Sequence, residues 1–329
     1  MLSSGNRAAY AALFREGLSL AAKPFDALLS RFERRRIAKS MESDKPLVLI
    51  VGAPRSGTTL VYQTLAAYLD VTVPSNLTAI FPRSPLTIAS LQGLIPWRTR
   101  PDFRNFYGQT TRLSGPNDAF HLWNRWLGHD RYLPGNSMPE DTAAQMQQFF
   151  DTWTATFNKP LLNKNNRNTF AIERLAQALP NARFVVVRRN PLLVAQSLII
   201  AREKVQGDKG TGWGLQSFST EDNSDPLAHV DDVCRQIVAI EEEMNRQLST
   251  VSSNRVVEFT YESFCEDPGH AIRKVVQAFD GLHTHGKDED PAPFDISKTL
   301  KISPAEQQRI HDNFAAASSS ADKTTVPAT

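Results

Sequence analysis

The sequence predicts an α/β fold, a parallel β-sheet flanked by helices, with an N-terminal helical extension. Residues 47–51, 183–187 and 255–259 are short apolar runs rich in β-branched residues, the pattern of strands covered on both faces. Helical periodicity lies between these runs, at residues 142–157, 172–179, 192–204 and 230–248. Because strands alternate with helices, ligand sites are expected at the carboxyl ends of the strands.

Residues 1–45 are predicted to form the helical extension. Its first apolar stripe comprises Tyr10, Leu13, Phe14, Leu18 and Ala21. Pro24 stands where a second helix can begin, and the stripe of that helix comprises Phe25, Leu28, Leu29 and Phe32. Nine Lys and Arg against five Asp and Glu give this segment a net charge of +4. Two interpretations stay open: helices packed on the domain with solvated basic ends, or attachment to an anionic membrane surface or an acidic partner.

The main domain is predicted to span residues 46–312. Residues 313–329 are rich in Ala, Ser and Thr and are predicted to be a disordered tail. Within the main domain, residues 74–140 are rich in Pro, Trp and Arg and have no strong period. This insertion either covers a substrate cleft or is an irregular packed segment.

Charge and composition narrow the class of protein. The 329 residues carry 37 Lys and Arg against 35 Asp and Glu, a net charge of +2, which argues against a nucleic-acid polymer as partner. There is no apolar run long enough to span a bilayer and no signal-peptide core at the N-terminus. Two cysteines, Cys234 and Cys265, suit a reducing compartment. A cytoplasmic protein is expected, with residues 1–45 as a candidate peripheral membrane contact.

The most informative segment is the loop GAPRSGTT at residues 52–59, which follows the first strand. Gly52 and Gly57 permit a tight turn, and the N-terminus of the next helix points N–H groups at an anion, as in a P-loop-type fold. The spacing is that of the nucleoside-triphosphate loop G-x-x-x-x-G-K-[ST], but Thr58 replaces the lysine and the positive charge stands at Arg55. The change argues against hydrolysis of ATP or GTP. The alternative is a strand-to-helix turn without a ligand.

At PRSGTT the sequence resembles the sulfotransferases that use 3′-phosphoadenosine 5′-phosphosulfate (PAPS). RFVVVRRNP, with Ser197 eight residues beyond Arg189, is similar to the segment that binds the 3′-phosphate in that family. The resemblance implies PAPS as cofactor, bound by Arg55, Ser56, Gly57, Thr58, Thr59, Arg189 and Ser197. The alternative is that Arg188 and Arg189 form salt bridges and Ser197 is a serine on a helix face.

Two further stretches extend the resemblance. LLNKNNRNTFAIERLAQALPNARFVVVRRNP is most similar to the tyrosylprotein and bacterial branch of the family, where the corresponding lysine, here Lys164, stabilises the transferred charge. VVEFTYESFCEDP resembles the family's strand followed by Tyr-Glu-x-x-x-x-Asp-Pro, in which the tyrosine, here Tyr261, approaches the adenine. The alternatives are a solvated lysine and a core aromatic residue.

Sulfuryl transfer requires preorganised positive charge and a general base. Arg55, Lys164 and the loop N–H groups are predicted to supply the charge, and no metal is expected. The tyrosylprotein enzymes carry a glutamate shortly after the first helix, but residues 73–76 of this chain hold no acid. Asp118 and His121 are the candidate bases. Trp123 and Trp126 either line a pocket for a sugar or aromatic acceptor or belong to the core.

The sequence therefore favours a PAPS-dependent sulfotransferase acting on a hydroxyl or amine of a glycan, lipid or small molecule. A P-loop-type small-molecule kinase is one alternative, but it predicts a lysine that Thr58 replaces. A non-catalytic relative that binds nucleotide or a membrane is the other, and it predicts loss of the cationic residues at the site. The acceptor and the oligomeric state stay open.

Overall fold

The chain folds around a four-stranded parallel β-sheet. The structure is a computed structural model that describes residues 7–39, 41–93, 103, 105–106, 109–110, 112–130, 132–133, 138–220, 224–286, 290–296 and 299–324. The strands are β1 (Leu47–Val51), β2 (Asn105–Phe106), β3 (Gln109–Thr110), β4 (Leu161–Lys164), β5 (Ala182–Arg188) and β6 (Val256–Thr260). The helices are α1 (Arg7–Ile37), α2 (Thr58–Tyr68), α3 (Asn76–Ile80), α4 (Pro85–Gly93), α5 (Phe120–Leu127), α6 (Glu140–Phe157), α7 (Ile172–Ala178), α8 (Pro191–Gln206), α9 (Ala228–Leu248), α10 (Tyr261–Glu266), α11 (Pro268–Ala278) and α12 (Pro304–Thr324).

The parallel sheet confirms the predicted fold class. Its strand order is β4-β1-β5-β6, and all three neighbouring pairs are parallel. The predicted strands at 47–51, 183–187 and 255–259 correspond to β1, β5 and β6. The strand β4 was not predicted, because only its first two residues are apolar. Its last residue, Lys164, pairs in register with Ile50 and so lies at the carboxyl edge of the sheet beside β1.

Helices cover both faces of the sheet. Alternate residues of β1 enter two different apolar clusters: Leu49 packs with Trp153 and Leu175 on one face, and Ile50 packs with Leu65 on the other. All of β1 is buried. This two-sided burial explains the continuous apolar run that predicted the strand.

The N-terminal extension forms one helix where two were predicted. The helix α1 continues through Pro24, although proline removes one backbone hydrogen bond from the helix interior. Two carboxylates after the proline, those of Asp26 and Glu33, bind residues 83–87 and hold this part of α1 against the domain. Phe25, which the first of the two open interpretations packs on the domain, is 66% exposed.

The predicted disordered tail begins inside α12, which continues to Thr324. Ser303 and Glu306 form a capping box at its start: each side chain binds the backbone N–H of the other. Arg309 and Asn313 both donate to Asp231 of α9, at 2.7 Å. The Ala-rich run that suggested disorder has a high helix propensity once α12 is started and anchored in this way.

The segment 74–140 contains regular structure where it is described. Ser75 and Thr78 form a capping box that starts α3. The side-chain amide of Asn76 donates to the carbonyl groups of Thr110 and Arg112, at 3.2 and 2.7 Å. These local contacts carry no apolar period, so the sequence pattern did not reveal them. None of the helices among the described residues is both long and apolar enough to cross a bilayer.

Candidate active site at the carboxyl edge of the sheet

The loop after β1 begins in a very confined position. The hydroxyl of Thr169 accepts from the N–H of Gly52 at 3.0 Å and donates to its carbonyl at 3.1 Å. A Cβ atom at Gly52 would lie 2.4 Å from the carbonyl oxygen of Val187, at the end of β5. Only glycine fits between the two neighbours. Thr169 was not predicted as a loop contact, since it lies in the 3₁₀ turn Asn166–Phe170, far away along the chain.

The structure brings Arg55, Arg189 and Ser197 together. Arg55 takes a left-handed backbone conformation, with φ 72°, and its Nε donates to the hydroxyl of Ser197 at 2.9 Å. The Nη1 of Arg189 donates to the carbonyl of Arg55 at 3.0 Å. The loop after β1, the end of β5 and the helix α8 therefore converge on one place.

Tyr261 closes the other side of the loop. Its ring lies under the guanidinium of Arg189, with the Arg189 Cζ 4.6 Å from the ring centroid. A Cβ atom at Gly57 would lie 2.0 Å from the Cδ2 of Tyr261. Burial raises the pKa of Tyr261 to about 12, which keeps the phenol neutral near pH 7. The ring therefore provides an apolar surface beside the guanidinium of Arg189.

Two buried hydrogen-bonding atoms, on Ser56 and Arg189, stand out in this place. Among the described residues, the hydroxyl of Ser56 and the Nε of Arg189 are buried without a hydrogen bond. Leaving a buried polar group unsatisfied costs roughly 1–3 kcal/mol, and such groups commonly mark a ligand site. Both can donate, so their ligand would be an acceptor such as a phosphate oxygen.

The first turn of α2 supplies further donors. The helix starts at Thr58 after Gly57, whose φ is 96°, and no side chain caps its first turn. Thr58 is buried and Thr59 is half-buried. The uncapped N–H groups and the helix dipole favour an anion at this end.

Lys164 and Asp118 form a second cluster at the same edge of the sheet. The Nζ of Lys164 lies 3.0 Å from the Oδ2 of Asp118, and the two side chains are only 3% and 18% exposed. The alternative of a solvated lysine is therefore wrong. Burial raises the pKa of Asp118, and the opposing effect of the Lys164 ammonium is the smaller one. The Asp118 carboxylate is thus a stronger base than an ordinary aspartate and has a cationic group next to it.

The backbone around Asp118 is fastened to the end of β4. The side-chain amide of Asn165 donates to the carbonyl of Asp118 at 2.9 Å, and that of Asn163 donates to the carbonyl of Asn117 at 3.1 Å. Arg167 is buried and donates to the carbonyl of Gly128 at 2.7 Å, which fixes the end of α5. These positioning residues gave no recognisable signal in the Asn-rich sequence.

The remaining candidates lie on α5. His121 is exposed on its first turn. Trp123 is fully buried and donates to the side chain of Asn163 at 2.7 Å, and Trp126 packs against Phe150 in the same cluster. The interpretation as a core residue is confirmed for Trp123, whereas Trp126 is partly buried against the same cluster. Among the described residues, no group of three or more His, Cys, Asp and Glu is arranged to hold a metal ion.

Comparison with known proteins identifies the family. A family model described as "Sulfotransferase family" matches residues 46–283. The chain therefore belongs to the sulfotransferase family, whose members are enzymes that transfer a sulfuryl group. Comparison with curated protein sequences gives no significant match. The similarity to the tyrosylprotein branch stays a prediction.

Several solved structures of bacterial sulfotransferases align with this chain. Sulfotransferase STF1 from Mycobacterium tuberculosis H37Rv aligns with a TM-score of 0.52 and 14% identity, over 92% of this chain and 84% of that one. STF9 from Mycobacterium avium aligns with a TM-score of 0.48 and 13% identity, over 83% and 69%. A sulfotransferase from Alicyclobacillus acidocaldarius gives 0.43 and 18%, over 83% and 92%. At these identities the match to STF1 shows a shared fold.

Proposed function

We propose that this enzyme transfers the sulfuryl group of PAPS to a hydroxyl or amine of a glycan, lipid or small-molecule acceptor. The observation that carries the proposal is the convergence of Arg55, Arg189 and Ser197. In the described part of the chain, the Nε of Arg189 and the nearby Ser56 hydroxyl are buried without a hydrogen-bond partner. A nucleotide with phosphate groups at both its 5′ and 3′ positions matches this arrangement. PAPS supplies an activated sulfuryl group on the 5′-phosphate.

Each group of residues has a separate role in this proposal. Ser56, Thr58 and Thr59, with the N–H groups of α2, hold the 5′-phosphosulfate. Arg189 and Ser197 hold the 3′-phosphate. Tyr261, whose ring is partly buried beside Gly57, offers a flat surface to the adenine.

Catalysis is proposed to depend on fixed charge and one proton transfer. Arg55 and Lys164 stabilise the charge that builds on the oxygen between phosphorus and sulfur as its bond to sulfur breaks. Asp118 accepts the proton of the acceptor hydroxyl or amine while the new bond to sulfur forms. The Lys164 ammonium, 3.0 Å away, favours the ionised form of that carboxyl and so partly offsets the effect of burial on its pKa.

Ligand-induced stabilisation tests the donor. Adenosine 3′,5′-bisphosphate, the product left by PAPS, is expected to raise the melting temperature of the full chain, whereas Mg·ATP is expected to have little effect. Stabilisation by Mg·ATP alone would support the kinase alternative and contradict the proposal. Incubation with PAPS and pools of acceptors, followed by mass spectrometry for added sulfate, then identifies the acceptor.

Replacing Arg189 by alanine is expected to weaken binding of adenosine 3′,5′-bisphosphate by about 10- to 100-fold, because a hydrogen bond to a charged group contributes roughly 1.5–3 kcal/mol. Isothermal titration calorimetry measures the change. Arg188→Ala is the matched control, because the neighbouring Arg188 pairs with Glu241 and Glu258 on the surface. Equal affinity of the Arg189 variant and the wild type would refute its role.

The proton transfer predicts a specific pH profile. A base works only when deprotonated, so kcat is expected to fall as the pH drops through the pKa of Asp118. Because burial raises that pKa, the loss should set in at a higher pH than for an ordinary aspartate. Asp118→Asn should remove this acidic limb and lower kcat by about 10²- to 10⁴-fold. His121→Gln should keep the limb; if it abolishes the limb and Asp118→Asn does not, His121 is the base.

A further inference from the structure

The polar side of α1 faces inward. Asp26 and Glu33 are 3% and 1% exposed. Glu33 accepts from the N–H groups of Leu86 and Thr87 at 3.0 and 2.7 Å, and Asp26 accepts from that of Arg83 at 3.0 Å. The carboxylates thus bind N–H groups at the N-terminus of α4, where the helix dipole favours negative charge. At Asp26 and Glu33 the inward side of α1 is therefore acidic, whereas a helix packed on a protein usually turns apolar residues inward.

The apolar side of α1 faces outward. Leu20, Phe25, Leu28 and Phe32 are 59%, 66%, 55% and 55% exposed. They span about 18 Å along the helix at its rise of ~1.5 Å per residue. Single exposed apolar residues are ordinary, but a contiguous row of large ones marks an interaction surface.

Basic side chains border this row. The exposed charged residues of α1 and the turn after it, from Gly17 onward, are Lys23, Arg31, Arg34, Arg35 and Lys39. Both acidic residues of that stretch are the buried Asp26 and Glu33, and Glu42 and Asp44 come only after the helix has ended. The outward face of this described stretch is therefore apolar and cationic, with its negative charges turned inward.

We propose that the outward face of α1 docks on an anionic lipid bilayer. Apolar side chains of this kind enter the boundary between headgroups and acyl chains, and flanking Lys and Arg bind lipid phosphates. A second copy of the chain matches this face less well, because it would bring the same basic residues together. The proposal goes beyond sulfuryl transfer and does not depend on PAPS.

Vesicle flotation of the full-length chain tests the proposal. The protein is expected to float with vesicles of equimolar phosphatidylcholine and phosphatidylglycerol, and to stay behind with phosphatidylcholine alone. Arg34→Gln/Arg35→Gln should weaken binding about 30-fold, from the attraction of two basic residues to an anionic surface. Phe25→Ser/Phe32→Ser should weaken it at least about tenfold. Leu133→Ser is the matched control, since Leu133 is 50% exposed outside α1.

Three results would overturn the proposal. They are absence of flotation with the anionic vesicles, equal flotation with both vesicle types, and unchanged binding of the two α1 variants. Sedimentation analysis tests for a dimer. If the wild type is a dimer and Phe25→Ser/Phe32→Ser is a monomer, the surface binds a second copy of the chain instead. Circular dichroism and thermal unfolding show whether the variants fold. Vesicle binding is measured without PAPS or acceptor, so its failure leaves the proposed enzyme activity unaffected, and the reverse also holds.

Discussion

Replacing Lys164 by methionine is expected to lower kcat by about 10²- to 10³-fold, the usual loss when one preorganised donor to a developing negative charge is removed. Affinity for adenosine 3′,5′-bisphosphate should change by only a few fold, since other residues are proposed to hold the phosphates. Steady-state kinetics with PAPS and calorimetry with the bisphosphate measure the two quantities separately. Wild-type turnover would exclude a catalytic role for Lys164.

The Lys164 variant needs a control for stability, because it leaves Asp118 buried without its partner. Removing one member of a buried ion pair costs about 3–5 kcal/mol unless the remaining group becomes neutral. Lys164→Met/Asp118→Asn should therefore unfold at a higher temperature than Lys164→Met at neutral pH, yet stay inactive. Lys159→Met is the matched control for losing a lysine, since Lys159 pairs with Asp70 at 42% exposure. It should keep full turnover.

Replacing Gly57 by alanine is expected to abolish nucleotide binding and to destabilise the fold by about 2–5 kcal/mol. About 1–2 kcal/mol comes from a side chain in the left-handed conformation, and about 1–3 kcal/mol from overpacking. The overpacking arises because the new Cβ would lie 2.0 Å from the Cδ2 of Tyr261. The ring would have to leave its place against Arg189. Urea unfolding and calorimetry measure the two effects.

Two further variants separate backbone strain from collision. Gly207→Ala carries the strain alone, because Gly207 has a φ of 83° and nothing within 4 Å of a Cβ position. It should cost about 1–2 kcal/mol and leave nucleotide binding intact. Gly57→Ala/Tyr261→Ala should be less destabilised than the sum of the two single variants, because removing the Tyr261 ring also removes its overpacking against the new Cβ. If Gly57→Ala behaves like Gly207→Ala, the packing of Tyr261 on the loop is wrong.

The strands that carry the site were predictable because both faces of the sheet are covered. In β1 and β5, burial on both sides selects uninterrupted apolar residues, and the loop and the Arg189 segment follow directly. The strand β4 is not predictable from an apolar run, because its last two residues, Asn163 and Lys164, are polar although they are buried. Buried polar residues of this kind are placed by the hydrogen-bonding groups that they meet in the folded chain. They therefore follow no regular spacing in the sequence.

The contacts around the site depend on long-range partners in the same way. The sequence offers Asp118 as a candidate base only because it is an acidic residue. Its ion pair with Lys164 joins residues 46 apart in the chain, so no local pattern indicates it. The carboxylates of Asp26 and Glu33 look like ordinary surface charges in the sequence. Only the position of α4 shows that they cap a helix and turn the apolar side of α1 outward.

The packing of Gly52 against Val187, together with the hydrogen bonds of Arg55 to Ser197 and Arg189, has a consequence for selectivity. These contacts join the two proposed anion positions directly, so their separation is set during folding and little ordering is left for binding. The site can then select a ligand by the distance between its two negative charges. A nucleotide charged at one end only would leave donors at the other position buried and unsatisfied, and would be rejected for that reason.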